Sequence, residues 1–419
     1  MFTATLVLSV LAAGASAQFS FTIWDWEPAY RDIEQFKRQV DTVSGYGVNT
    51  IELGVCWRDC EPVDGKFEFT IPDERVAYVQ SKGLALRLRV NVTDWPEWFN
   101  PELFQNPDGT TFDYSGGLPS VFSATNRVQQ HRFVAALAQH YAGKSFTYTP
   151  AFSVHMEVKF AAWNTYEPSA RAGFQNWLAG RYKTIDALNE AWNTSFASFG
   201  DVEAPVPRNA TGAPSVDPAS ADWIRYREAA LTDWVAAFAA AVRKNDSSAK
   251  VSVPLGESHR YQAAEFANLA YWNYSRPADE IVHSYDFFVH GPNRVADAGV
   301  ATAIMTGITE RPVVFEIDGP ILIEKFGYTT EHLVRVAELA MLRGAAGVQI
   351  SNWGSADLAA QAWMRNVGEI VQTTRPRAPN NPPPIRYYVS KWQNYCMRDP
   401  GVDLFDKQFA ALRILLDAN

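Results

Sequence analysis

Two glutamates interrupt stretches that are otherwise apolar. Glu157 stands in FSVHMEVKF (152–160), flanked by His155 and Lys159, and Glu316 stands in RPVVFEIDGP (311–320). A carboxylate taken out of water is costly unless it is paired or takes up a proton. Each glutamate is therefore either the anionic half of a structural ion pair or a group kept for proton transfer. Two carboxylates facing each other across one cavity push their pKa values apart, so that one stays protonated as general acid while the other ionises as nucleophile. That is the requirement of retaining glycoside hydrolysis, with carboxyl groups about 5–5.5 Å apart, against about 6.5–9.5 Å for inversion.

Other side chains could serve such a site. Trp24, Trp26 and Trp57 close apolar runs and could line a mouth or fill a core equally well. Trp95 and Trp98, in DWPEWF, could stack on the CH face of a pyranose. Arg87 and Arg89 in LALRLRVNV could bind substrate or neutralise buried acids, and the second role suits their strand better. The seven histidines show no HExxH spacing and there is no Cys-x-x-Cys, so neither a metal nor a cofactor is expected.

The elements that must position these groups alternate along the chain. Strand patterns fall at 19–26, 49–55, 84–92, 152–160, 250–256, 280–288, 312–318 and 346–353, separated by amphipathic helical patterns such as RDIEQFKRQVDTV and EHLVRVAELAMLRG. Eight strands, each followed by helix and each apolar on both faces, predict an α/β fold of the (β/α)8 barrel type. An open doubly wound sheet would alternate similarly, but no glycine-rich phosphate loop follows the first strand. In a barrel, catalytic groups converge at the C-terminal ends of the strands.

The barrel is expected over 18–373, with a helical insertion at about 160–222 after the fourth strand. A proline-rich linker (374–385) and a strand–helix extension (386–419) follow. Residues 1–17 resemble a secretory signal, with a short apolar stretch and Ala15-Ser16-Ala17 before Gln18, although its first residues carry no Lys or Arg. Five N-x-[ST] sequons, at Asn91, Asn193, Asn209, Asn245 and Asn273, fit that route to a secreted glycoprotein. Asn91, at a strand end, is the weakest acceptor. Three cysteines, Cys56, Cys60 and Cys396, make no disulfide framework. The formal net charge of −9 argues against nucleic acid or an anionic membrane as partner, and the assembly state stays open.

The chain resembles the clan A glycoside hydrolases, most of all glycoside hydrolase family 42, the β-galactosidases. Three stretches carry the resemblance: GVNTIELGVCWRDCEPVDGKFEF (47–69), AGFQNWLAGRYKTIDALNEAWNTSF (172–196) and LRGAAGVQISNW (342–353). It implies that Glu157, seventeen residues before Phe174, is the acid/base, and that Glu316 is the nucleophile. It further implies that Tyr285, in HSY (283–285) with His283, orients Glu316, and that Trp353 floors the sugar site. Glu167 in WNTYEP is a rival acid, but its neighbours read as loop. The family's Asn before the acid/base, which contacts the sugar 2-hydroxyl, is replaced here by Met156, a weak acceptor at best. The Glu and His that grip galactose after strand eight are also missing from GSADLAAQAWM (354–364). The expected activity is thus retaining, exo-acting cleavage of a β-glycoside in an oligo- or polysaccharide, with galactose the first sugar to test. An endo-acting glucanase or mannanase of the clan, or a sugar-binding barrel with weak turnover, are the alternatives.

Overall fold

The computed structural model describes residues 17–113, 116–152, 157–160, 163–206, 217–256, 271–284, 291–351 and 363–374. Eight parallel strands form a closed barrel in sequence order. They are β1 (Gln18–Ile23), β2 (Thr50–Cys56), β3 (Ala85–Asn91), β4 (Thr147–Ala151), β5 (Lys250–Leu255), β6 (Glu280–Ser284), β7 (Val313–Ile317) and β8 (Gly347–Ser351). Closure is made by β1 against β8, with Phe19 opposite Val348 and Phe21 opposite Ile350. The expected signal segment, the linker and the C-terminal extension lie outside the described residues.

Helices follow the strands for local reasons. In helix Ile33–Ser44 the Asp32 side chain accepts hydrogen bonds from the backbone N–H of Glu34 and Gln35, and Phe36, Val40 and Val43 face inward at helical spacing. The return to the next strand uses left-handed glycines where an L side chain would be strained, with φ of 71° at Gly83 and 101° at Gly344. Among the described residues no helix is long and apolar enough to cross a membrane.

One strand differs from its sequence expectation, and the difference bears on the site. Strand β4 is Thr147–Ala151, TYTPA, and the described residues of the apolar run, 152 and 157–160, lie outside it. Pro150 in β4 and Pro254 in β5 carry no N–H donor, and the ladder between the two strands pairs only Thr147 with Lys250 and Tyr148 with Val251. Beyond it the chain leaves β4, and the Val158 N–H donates to the Pro254 carbonyl at 3.1 Å. Glu157 is therefore not a strand residue. It rides on a segment past the end of β4 that docks against the end of β5.

Between that segment and helix Pro218–Asn245 lie helices Pro168–Tyr182 and Ile185–Trp192. They form a small core of their own, in which Phe174, Leu178, Leu188 and Trp192 pack on Trp223 and Tyr226. Beside it the buried Asp222 accepts from Tyr182 Oη at 2.5 Å and Trp192 Nε1 at 3.2 Å. The stretch 172–196 is thus an architectural signature: its aromatic positions fill this core.

Candidate active site

Barrel closure brings polar side chains of five strands into one layer. Thr22 of β1 lies opposite Glu52 of β2, Gly54 of β2 opposite Arg89 of β3, and Glu316 of β7 opposite Gln349 of β8. The network that results is continuous. Thr22 Oγ1 donates to Glu52 Oε2 at 2.8 Å, and Arg89 Nη2 lies 3.0 Å from the same oxygen and 3.5 Å from Glu316 Oε2. Gln349 Nε2 donates to Glu52 Oε2 at 3.0 Å and also to Glu316. The amide oxygen of Gln349 accepts from Arg87 and, at 3.4 Å, from Ser20 Oγ.

Arg89 is shared unequally, and this decides the charge on each acid. Burial pushes the Glu52 carboxyl up, but Arg89, Arg87 and the Thr22 hydroxyl outweigh it and hold it below the usual carboxylate range. Glu316 sits farther from the guanidinium. Burial raises it first, Arg89 offsets part of the rise, and the charges of Glu157 and Glu52 raise it again, leaving it at about 7. Glu157 is thus close enough for its charge to be felt at Glu316 although the two come from opposite sides of the barrel.

Each glutamate also has a cation beside it. Lys159 Nζ lies 2.7 Å from Glu157 Oε2, and Arg89 serves Glu316 as described. The ion-pair alternative raised by the sequence therefore has a real counterpart at both positions. Yet Glu157 and Glu316 keep 7% and 6% of their surface open, where Arg89 and Glu52 keep 1% and 0%. The Glu157 carboxylate lies directly over the Cα of Gly256, just past β5, in space a Cβ would occupy. Glycine is what lets that acid reach its position.

The remaining candidates divide. Arg89 is enclosed and bound to two acids, with the Trp24 ring 4.8 Å above its guanidinium, so it holds Glu316 and presents no surface to a ligand. These contacts are those of the second role considered for it, neutralising buried acids, and not of substrate binding. Trp57 is fully buried, stacked on Phe133 at 6.0 Å and donating from Nε1 to Glu61 at 2.7 Å; of its two readings the core one is what the structure adopts. His283 has no exposed surface: its Nδ1 is 3.1 Å from the Leu255 carbonyl, and burial lowers it to about 4, so it is a neutral wall residue at pH 7 and not a sugar contact. Trp95 is half-buried against the core, its carbonyl accepting from Arg58 Nε at 3.3 Å. Met156, Tyr285 and Trp353 lie outside the described residues.

Glu167, the rival acid, is the residue preceding helix Pro168–Tyr182, completely buried, with its carboxylate taking the Ser120 hydroxyl and, at 3.4 Å, the Gln105 N–H. Burial raises it to about 8. Those contacts tie it to the β3–β4 side of the insertion and not to the network around Glu316. Glu52, Gln349 and Gly256 were not among the sequence candidates. Glu52 carried the same signal as the two chosen acids, a carboxylate inside the apolar run NTIELGV, whereas the contacts of Gln349 and Gly256 exist only across the closed barrel. Cys56 and Cys60 are free, buried thiols.

Comparison with known proteins agrees with this architecture. The model of glycoside hydrolase family 42, described as β-galactosidase, matches residues 25–315 and so ends one residue before Glu316. A β-galactosidase of Bifidobacterium bifidum is 24% identical over 358 residues, covering 81% of this chain and 50% of that protein. A β-galactosidase of Geobacillus kaustophilus is 29% identical over 181 residues, covering 41% of this chain and 26% of the relative. These matches span half or less of the relatives' own length. Among solved structures, the β-galactosidase of Halorubrum lacusprofundi superposes with a TM-score of 0.67 at 18% identity, over 84% of this chain and 57% of that one. The catalytic domain of a β-amylase from Paenibacillus polymyxa gives 0.70 at 14%, over 87% and 100%. At such identities the superpositions establish the barrel fold.

Proposed function

Because the chain belongs to glycoside hydrolase family 42, we propose that it hydrolyses a β-glycosidic bond by double displacement between Glu316 and Glu157. The observation that carries the reading is the electrostatic pairing of these two acids: Glu316 stands at about 7, raised by burial and by the charge of Glu157. A negative charge on Glu157 makes Glu316 harder to ionise.

In the productive arrangement the proton is on Glu157. The ionised Glu316 attacks the anomeric carbon, and Glu157 passes its proton to the departing glycosidic oxygen, leaving a glycosyl ester on Glu316. Glu157 then takes a proton from water as the water attacks the same carbon, and Glu316 is released. Arg89 and Gln349 both point donors at Glu316 Oε2 and stabilise it as the leaving carboxylate. Tyr285 is proposed to add a further donor.

Galactose is the first sugar to test, because the relatives that match are β-galactosidases. The replacement of the family's Asn by Met156, and the loss of its galactose-gripping Glu and His after β8, favour a panel that also includes glucosides, mannosides and uronides. Exo action, secretion through residues 1–17 and glycosylation are part of the same proposal. Asn91 would not be an acceptor, since it is 3% exposed and its amide donates to Asp25 at 3.3 Å.

The test is a panel of nitrophenyl β-glycosides with proton NMR of the first-formed sugar. Retained configuration, together with loss of hydrolysis by orders of magnitude in Glu316→Ala and its partial rescue by azide, is expected. An inverted product overturns the double displacement. The 2.7 Å contact between Lys159 and Glu157 favours a second reading, a sugar-binding barrel in which Glu157 serves as the partner of Lys159 and takes no part in catalysis. Sugar binding with no turnover of any glycoside in the panel would select it.

A further inference from the structure

The double displacement makes no use of Glu167, yet the contacts of this buried carboxyl lead to the segment that carries Glu157. Its Oε2 accepts from the Gln105 N–H at 3.4 Å, and its Oε1 is hydrogen-bonded to Ser120 Oγ. Both partners belong to the loop after β3, where 102–105 runs against 118–120. Leu103 bridges Pro119 there, and the Phe104 N–H donates to the Leu118 carbonyl at 2.9 Å. Ser120 Oγ also accepts from the Phe122 N–H at 3.0 Å. The rings of Phe104 and Phe122 both pack on Phe160, one edge-on and one stacked, each with centroids 5.7 Å away. Phe160 lies three residues after Glu157.

Between Phe160 and Glu167 the side chains add no such hold. Trp163 Nε1, both amide atoms of Asn164 and the Thr165 hydroxyl are buried without a hydrogen-bond partner, and unpaired buried polar groups weaken the segment that carries them. The segment is therefore held at its ends, by the seat of Phe160 and by Gln105, whose carbonyl accepts from the Tyr166 N–H at 3.0 Å. The groups facing Glu167 supply no counter-ion. Glu102, whose carboxylate takes the Ser169 N–H at 3.0 Å, disfavours its ionisation, and the Tyr226 phenol is raised by burial and then by the charge of Glu167. Arg171 directs its Nε to the Tyr166 carbonyl at 2.6 Å, Arg127 acts on Tyr226, and Arg227 lies over the rings of Phe160 and Trp163. Burial is the largest influence and raises Glu167 to about 8, so it is neutral at pH 7. A neutral carboxyl suits these contacts, since one oxygen can donate to Ser120 Oγ while the other accepts from Gln105. An anion in the same place has neither water nor a cation, and opening the contact to solvent relieves it.

We propose that Glu167, acting with Ser120, is a positioning residue for Glu157: it fixes the loop rings on which Phe160 sits, and this anchor holds only while its carboxyl carries a proton. The segment of Glu157 is then firmly placed in acid and neutral solution and loosens in alkali. The part that Glu157 plays rests on the glycosidase reading, but the anchoring is measurable without turnover.

The experiment is hydrogen–deuterium exchange of the parent and Glu167→Gln at pH 6 and pH 9, corrected for the intrinsic rate at each pH and read on peptides covering 104–122 and 157–167. Glutamine donates from its amide nitrogen and accepts at its oxygen, and so stands in for the neutral acid. Protection in the parent should fall about tenfold between the two pH values, the loss of protonated carboxyl one pH unit above its midpoint, and should be kept in Glu167→Gln. Ser120→Ala should exchange faster than the parent already at pH 6. It should also lower kcat on any glycoside the panel identifies by about tenfold, with KM within about twofold of the parent. An equal loss of protection in the parent and Glu167→Gln, or protection in the parent that is the same at both pH values, overturns the anchor. An unchanged kcat in Ser120→Ala overturns the positioning role. If no glycoside is hydrolysed but the exchange behaves as expected, the enzymatic reading fails and the anchor stands. Hydrolysis with retention but protection that ignores pH is the reverse.

Discussion

Replacing Glu316 by glutamine should abolish hydrolysis and, above neutral pH, make the protein more stable relative to wild type than it is in acid. The carboxyl moves from an ordinary 4.5 to about 7 on folding. Between these values the unfolded chain has released its proton while the folded protein still holds it, so unfolding free energy falls as pH rises. Below about 4.5 both states are protonated, above about 7 both are ionised, and the dependence is flat at each end. The shift, at about 1.36 kcal/mol per pH unit, corresponds to about 3 kcal/mol of folding free energy lost across the window. The glutamine amide of the variant does not titrate. The difference in unfolding free energy between Glu316→Gln and wild type should therefore become about 3 kcal/mol more favourable to the variant from pH 4 to pH 8. Any fixed cost of disturbing the Arg89 and Gln349 contacts cancels in that comparison. Urea unfolding of both proteins at pH 4, 6 and 8 is the assay. A difference that does not change with pH would show that the fold does not resist ionising Glu316, and the paired-acid reading would go with it.

Three further outcomes are expected. Gly256→Ala should fold, because the obstacle it meets is the flexible end of Glu157, but should lower kcat by about 100-fold by displacing that carboxylate, measured beside an unfolding curve within about 1 kcal/mol of wild type. Lys159→Met and Glu157→Gln should each destabilise by about 3–5 kcal/mol, since each leaves a buried charge behind, and the double variant by clearly less than their sum; strict additivity would refute the ion pair. Glu167→Gln should retain hydrolysis and gain stability over wild type as pH rises from about 4.5 to about 8, the window opened by burial of that carboxyl; loss of turnover would make Glu167 the working acid instead.

Much of the architecture was legible from pattern. Seven of the eight strands lie where apolar runs end in turn residues, because a strand buried on both faces must be apolar along its length. The exception is instructive. Pro150 marks TYTPA as a poor strand, and FSVHMEVKF is the more apolar of the two neighbouring runs. In the closed barrel a proline is tolerated where the ladder is already giving way, and Val158, near the end of the apolar run, docks on β5.

The same division holds at the site. Composition and spacing singled out Glu157 and Glu316 because a carboxylate in apolar sequence demands an explanation wherever it lies. Local sequence could not say that Arg89 stands nearer Glu52 than Glu316, that Gln349 joins both acids, that Trp57 turns inward, or that Gly256 clears a place for Glu157. Those facts depend on which strands become neighbours and on their register, a property of the whole ring. The residue types chose the chemistry that is possible; barrel closure decided which of them share a cation and which are only packing.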